Sequence, residues 1–200
     1  EAAATLEPLS TVVHGMAESG IAMGDTVVVN GPGPIGQMFI RLAQLRGASV
    51  IAAGRSEGRL AQAAAAGAVA TVNLSGHETT AERAAAIRAA TPHGRGADVA
   101  IEAAGLPEVW EQTVQCLRPG GTAVLFGGPK AGSTFNVDAV AMHYLEYKLV
   151  GVYHHAPRYV QTAVHLLSTG KFDGLTLCTE IRPLEALVAS ATNVQNNLAA

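Results

Sequence analysis

The sequence is poor in the features that announce most kinds of chemistry. It has two cysteines in 200 residues, Cys116 and Cys178, too far apart for a C-x-x-C pair. That spacing predicts two free, packed thiols in a reducing cytoplasm rather than a disulfide or a metal site. Charged residues make up only 14% of the chain and the net charge is −3. There is therefore no electrostatic case for nucleic acid or an anionic membrane as a partner. No apolar run reaches the ~18 residues of a membrane span, and no basic-then-apolar leader opens the chain. Seven histidines supply no H-x-x-x-H pair for a helical metal site. His154 and His155 are adjacent and would point differently, and no Ser–His–Asp or Cys–His pairing follows from spacing. Tyr144 and Lys148 stand four apart, but Lys148 opens a strand, which breaks the one-turn geometry such a catalytic pair needs.

What the sequence has is apolar residues and glycine. Hydrophobic residues are 48% of the chain, enough for a sizeable core in one large domain, or in one domain with part of a second. The stretch Val27-Val28-Val29-Asn30-Gly31-Pro32-Gly33-Pro34-Ile35-Gly36 organises the rest. β-Branched residues run into G-x-G-x-x-G, and a helix-compatible segment from Ile35 to Arg46 follows at once. In that context the motif predicts dinucleotide binding. Gly31 allows the turn out of the strand, Gly33 admits a pyrophosphate without a Cβ in the way, and Gly36 lets the helix lie close to the sheet. The helix start at Ile35 turns free N–H groups and a partial positive charge toward the phosphates, with Pro34 beside it in the expected cofactor site.

Along the chain, Leu6, Leu9, Val13 and Met16 make one apolar helical stripe within residues 1–19. Glu7 falls near the start of that helix, where a carboxylate is favoured. Strands are predicted at Thr26–Asn30, Ser49–Ala53, Ala68–Val72, Asp98–Glu102, Thr122–Phe126 and Lys148–Val152. Helices are predicted at about 57–66, 78–90, 107–117 and 158–168, and Arg118–Gly121 reads as a turn. Strands that are continuous apolar runs, alternating with helices, describe a parallel sheet covered on both faces. The expected fold class is α/β, a doubly wound (Rossmann) six-stranded sheet with ligands at the carboxyl ends of its strands. After Thr176 the pattern changes to a β-like run (Thr176–Ile181) and a helix (Pro183–Thr192). The chain opens at Glu1 within an Ala-rich helix and ends without a stop signal, so it reads as a piece of a longer protein.

The end of the second strand selects the dinucleotide. NAD sites place an acid about 20 positions after the motif to bind the ribose hydroxyls. Here Gly54 occupies that place, followed by Arg55 and Ser56, with Arg59 close by. A glycine leaves room for a 2′-phosphate, and the arginines can neutralise it. NADP(H) is therefore favoured over NAD(H), while the arginines also fit an ordinary solvated helix start. The missing acid also counts against a methyltransferase, which would use one for its cofactor ribose. Ala103-Ala104-Gly105 and Gly127-Gly128 put small residues beside the expected ribose and nicotinamide, or simply punctuate turns. His154 would line the nicotinamide pocket or sit on an exposed loop, and His14 reads as a packing residue.

Glu7-Pro8-Leu9-Ser10, Gly24-Asp25-Thr26-Val27-Val28-Val29, the glycine motif and Gly47-Ala48-Ser49-Val50-Ile51 together resemble medium-chain zinc-dependent dehydrogenases. Gly96–Gly105, Leu117–Gly121, Leu166–Lys171 and Pro183–Glu185 extend the resemblance over nearly the whole chain. It lies nearest the alcohol, polyol and threonine dehydrogenase branch. Zinc-free quinone reductases of the superfamily lack the Glu-Pro pair. The resemblance implies a linking helix over 1–24 from an absent catalytic domain, a dinucleotide-binding domain over 25–170, and a strand–helix segment over 171–200 returning to the catalytic domain. It implies Glu7 beside a catalytic zinc whose other ligands are absent, so no metal site is complete here and zinc is expected only in the full-length protein. Thr11 and Ile35 would pack around the nicotinamide. The backbone of Phe126–Gly128 and of Val152, Tyr153 and His154 would meet its carboxamide. The implied reaction is hydride transfer with a small alcohol or carbonyl substrate in a cytoplasmic homodimer or homotetramer, with residues 136–152 at an interface. A zinc-free quinone or enoyl reductase and a non-catalytic dinucleotide sensor are the alternatives.

Overall fold

A computed structural model describes residues 2–178 and 182–192. Six parallel strands form one sheet: β1 (Thr26–Asn30), β2 (Ser49–Gly54), β3 (Ala70–Asn73), β4 (Ala97–Glu102), β5 (Leu117–Leu125) and β6 (Lys148–Gly151). Their order is β3-β2-β1-β4-β5-β6, the doubly wound arrangement expected from the alternation. β1 lies at its centre, with Val28 opposite Ile51 on one side and Ala100 on the other. The topological switch point therefore falls between β1 and β4.

The central strands are apolar at successive positions because both faces are covered. Val27, Val29, Val50 and Ile101 enter one core with α1 (Leu6–Glu18), α2 (Pro34–Leu45) and α7 (Pro157–Ser168). Val28, Ile51 and Ala100 enter the other with α4 (Thr80–Ala90) and α5 (Pro107–Gln115). Leu9, Val13 and Met16 of the predicted stripe are buried, so α1 belongs to the same core as the sheet. Pro at the first helical position pre-sets φ for α2, α5 and α7. The Ser56 side chain caps α3 (Glu57–Ala65), and a reciprocal Thr79–Glu82 capping box starts α4. No helix among the described residues is long and apolar enough to cross a membrane.

Asp98 binds the lower ends of three strands together. Its carboxylate accepts from Thr26 N–H at 2.7 Å, Arg95 Nη2 at 2.7 Å and Arg118 Nε at 2.6 Å. Burial opposes its ionisation, but the Thr26 N–H and the two guanidiniums outweigh burial and hold the carboxyl below its ordinary range.

Two expectations need correction, and one element was not anticipated. β5 starts at Leu117, before the predicted turn. Ala97 already pairs with Leu117 and the register resumes only at Val99–Thr122, so Arg118–Gly121 is an excursion within the strand. A short helix α6 (Ala139–Tyr144), capped by the Asp138 carboxylate at Val140 and Ala141 N–H, has no counterpart in the sequence reading. It is too short for a hydrophobic period to register. The run beginning at Thr176 is a 3₁₀ turn over Leu175–Leu177, anchored by buried Phe172, and the remainder of the predicted strand, 179–181, lies outside the described residues. The last predicted helix is present as a 3₁₀ turn at Leu184–Ala186 continued helically through residue 192.

Candidate functional site: two clefts at the carboxyl ends of the strands

The switch point opens two clefts. The first, of about 420 Å³, runs from the Gly31–Ile35 loop across the end of β2 to the start of α5. Gly31 has φ +96°, a left-handed conformation that favours glycine, and a Cβ there would lie 3.1 Å from the Ala103 carbonyl carbon. The loops leaving β1 and β4 are thus packed backbone to backbone. A Cβ on Gly36 would collide with the Gly31 carbonyl oxygen, whereas the space around Gly33 is open. Gly33 caps α2, and its carbonyl accepts the Gln37 N–H at 2.9 Å. The Ile35 and Gly36 N–H groups precede the first intrahelical donor, so the helix leaves them unpaired. This cradle fits a pyrophosphate: an open approach at Gly33, free donors and the positive end of a helix.

Gly54, Arg55, Ser56 and Arg59 form the far wall of the same cleft, and Ala103 and Ala104 form its floor. A Cβ on Gly54 would come within 2.7 Å of Pro32 Cδ. The glycine therefore seats the motif loop on β2 as well as leaving space above it. Leu74, Leu106 and Val109 add an apolar surface, and Arg83 and Glu108 complete the rim. None of these five was anticipated. They come from segments with no local motif and meet only because β3, β4 and their helices converge here.

The second cleft, of about 460 Å³, lies where β5 and β6 end. Thr11 of α1, Phe126, Gly127, Gly128, Val152, Tyr153 and His154 all line it, as does Trp110, which the sequence reading missed. Trp110 Nε1 donates to the Gly127 carbonyl at 3.2 Å, and Phe126 meets Phe39 edge to face at 4.9 Å. His154 holds φ +58°, and its carbonyl accepts from His14 Nδ1 at 2.8 Å. His14 stacks on Tyr159 with ring centroids 4.4 Å apart, so the packing residue also fastens the cleft loop.

Between the clefts stands Glu102, fully buried at the end of β4. One carboxylate oxygen accepts from Ala104 N–H (2.7 Å) and Gly105 N–H (2.8 Å), and the other from Gly127 N–H (3.1 Å). It thereby ties a wall of each cleft to one side chain, and this is where predicted Gly105 belongs. Burial pushes its carboxyl above the ordinary value, against the pull of those three N–H groups. The only hint in the sequence is an acid closing an apolar strand.

Glu7 stands outside both clefts. It is two-thirds exposed on the first turn of α1, 3.7 Å from His155 Nδ1. Among the described residues no group of three or more His, Cys, Asp or Glu side chains could hold a metal ion. The described residues therefore do not make a zinc site.

Comparison with known proteins agrees with this geometry. Residues 34–169 match the family described as "Zinc-binding dehydrogenase". D-xylulose reductase A of Aspergillus niger is 36% identical over 183 residues, which are 91% of this chain and 50% of that protein. A protein of Sinorhizobium meliloti 1021, described as a zinc-binding dehydrogenase and bound to NADP, superposes with a TM-score of 0.77 at 32% identity, covering 86% of this chain and 49% of that one. An alcohol dehydrogenase from Thermus sp. ATN1 superposes with a TM-score of 0.84 at 27% identity, covering 94% and 53%. The chain spans about half the length of the curated relatives it matches.

Proposed function

Because the chain belongs to the zinc-binding dehydrogenase family, we propose that it is the nicotinamide-dinucleotide-binding half of an enzyme that moves hydride between NADP(H) and a small alcohol, polyol or carbonyl compound. The observation that carries this reading is the first cleft. It has an open glycine cradle at a helix start and, where NAD sites carry an acid, Gly54 followed by Arg55.

In this reading the pyrophosphate lies over Gly33 and accepts from the N–H groups at the start of α2. Arg55 and Arg59 meet the 2′-phosphate with charge-assisted hydrogen bonds. The nicotinamide enters the second cleft, where Thr11 and Val152 pack about the ring and the backbones of Phe126–Gly128 and Val152–His154 orient its carboxamide, while Ile35, expected beside the ring, lines the first cleft. The bound nicotinamide supplies the hydride chemistry, and the protein supplies orientation and a shaped, water-poor site. Residues 25–170 are the binding domain. Residues 1–24 lead in from, and 171–200 lead back to, the part of the enzyme that holds zinc and most of the substrate pocket, with Glu7 at the zinc's edge. Self-association as a dimer or tetramer along residues 136–152 completes the proposal.

Fluorescence titration of the 200-residue chain with NADPH and NADH tests it. Binding of both, tighter for NADPH, is expected. Tighter NADH binding would overturn the cofactor choice, and no binding of either would overturn the reading as a whole. With zinc added, this chain alone is expected to show no alcohol oxidation, since the described residues offer no group of three or more metal-binding side chains.

A further inference from the structure

We propose that Arg83, on the first turn of α4, is the third cation of a phosphate-recognition site and helps to select a 2′-phosphorylated dinucleotide. The inference rests on the functional reading above and adds to it a residue from a different element. Arg55 and Arg59 belong to the β2–α3 turn and to α3, while Arg83 reaches the same cleft from α4. The charge balance favours an anion there. The cleft carries three guanidiniums and one carboxylate, Glu108.

Two further observations bear on Arg83. First, its guanidinium is held in place by neutral acceptors. Nε donates to the His77 carbonyl at 3.0 Å and Nη2 to the Glu78 carbonyl at 3.2 Å. Those bonds position the group without neutralising it, and a guanidinium has five N–H donors to distribute. Second, the nearest acid in sequence is otherwise engaged. The Glu82 carboxylate accepts from Thr79 N–H at 2.9 Å and Glu78 N–H at 3.0 Å in the helix cap. Among the described residues, none of Arg55, Arg59 and Arg83 has a carboxylate within ion-pair distance. Three cations without counter-charges, one of them held in place, suit a phosphate dianion, and a planar fork tethered on one edge can present another edge to its oxygens.

Isothermal titration of the wild-type chain and of Arg83→Gln and Arg83→Lys, with NADP⁺, NAD⁺ and 2′-AMP as probes, tests the assignment. Arg83→Gln is expected to weaken NADP⁺ and 2′-AMP about tenfold, the scale of one charge-assisted contact. It should leave NAD⁺ within about twofold and make NADP⁺ binding less sensitive to salt, with Arg83→Lys recovering part of the loss. Circular dichroism and the melting midpoint verify that each variant is folded. An equal loss for NADP⁺ and NAD⁺ would make Arg83 an adenosine contact and overturn the assignment, as would unchanged selectivity in Arg83→Gln. If the wild type binds NADP⁺ but selectivity ignores Arg83, this inference alone fails. If the wild type binds neither dinucleotide, the functional reading fails with it.

Discussion

His14 donates from Nδ1 to the carbonyl oxygen of His154 at 2.8 Å, a bond between residues 140 positions apart. A carbonyl can only accept, so the proton must sit on Nδ1. The contact joins α1 to the loop after β6 at a residue held in a left-handed conformation, φ +58°, which costs energy unless its surroundings impose it.

Loss of that bond should therefore loosen the second cleft more than the protein as a whole. His14→Phe keeps an aromatic ring against Tyr159 and removes the donor. We expect about 1 kcal/mol of lost stability, faster amide exchange at residues 153–155, and weaker NADPH binding. Unchanged exchange in that loop would show that the His14 bond does not hold it.

Asp98 predicts a specific form of acid sensitivity. Its folded carboxyl titrates below its unfolded value, so its contribution is complete above the ordinary aspartate range and is lost as pH falls through the depressed folded value. Asp98→Asn should cost about 2 kcal/mol at neutral pH and remove that part of the acid dependence. Urea denaturation at several pH values would measure both.

Glu102 has the opposite sign. Its folded value is raised, so the protein loses stability as pH climbs from the ordinary glutamate value toward the raised one. Glu102→Gln should abolish that slope. Glu102→Leu leaves the Ala104 and Gly105 N–H groups without their acceptor, while Gly127 N–H keeps the Glu102 main-chain carbonyl, and should cost about 2–3 kcal/mol. A wild-type stability that rises with pH across this window would contradict the assignment.

The two thiols should separate cleanly. Cys116 is buried, with its pKa pushed up to about 12 by desolvation, whereas Cys178 is exposed. A thiol reagent should titrate one cysteine in the native protein and the second only in denaturant. Two fast-reacting thiols under native conditions would refute this.

Gly54→Asp restores the acid that NAD sites use, but at a position where any Cβ meets Pro32 at 2.7 Å. We expect it to lower NADPH affinity more than tenfold by charge repulsion and to cost about 1–2 kcal/mol as Pro32 shifts. Calorimetric binding and a melting curve would separate the two effects.

Local signals were enough for the sheet and the cradle. The run Val27–Val29 into G-x-G-x-x-G specifies strand, turn and helix start through backbone sterics alone, and it lies where expected. The helix caps and most strand limits follow from equally local causes. The sequence misled where pairing outranks local chemistry. Pro119-Gly120-Gly121 reads as the end of one element and the start of another, yet parallel pairing of Leu117 with Ala97 draws it into β5. At the other end, the start of the β-like run, Thr176 and Leu177, falls in a 3₁₀ turn near buried Phe172.

The site divides along the same line. Gly31, Gly33, Gly54 and Arg55 could be found by counting, because motif, strand and cofactor have fixed spacings. Arg83, Trp110 and the role of Glu102 could not. Arg83 shares a cleft with Arg55 and Arg59 of another element, and Trp110 and Glu102 both reach Gly127, neighbours brought together only when the strands align their carboxyl ends. Side-chain type and spacing determine which ligand the loop after β1 can cradle. Which cations line that cleft, and which buried carboxylate holds the two clefts together, depend on packing that no local pattern encodes.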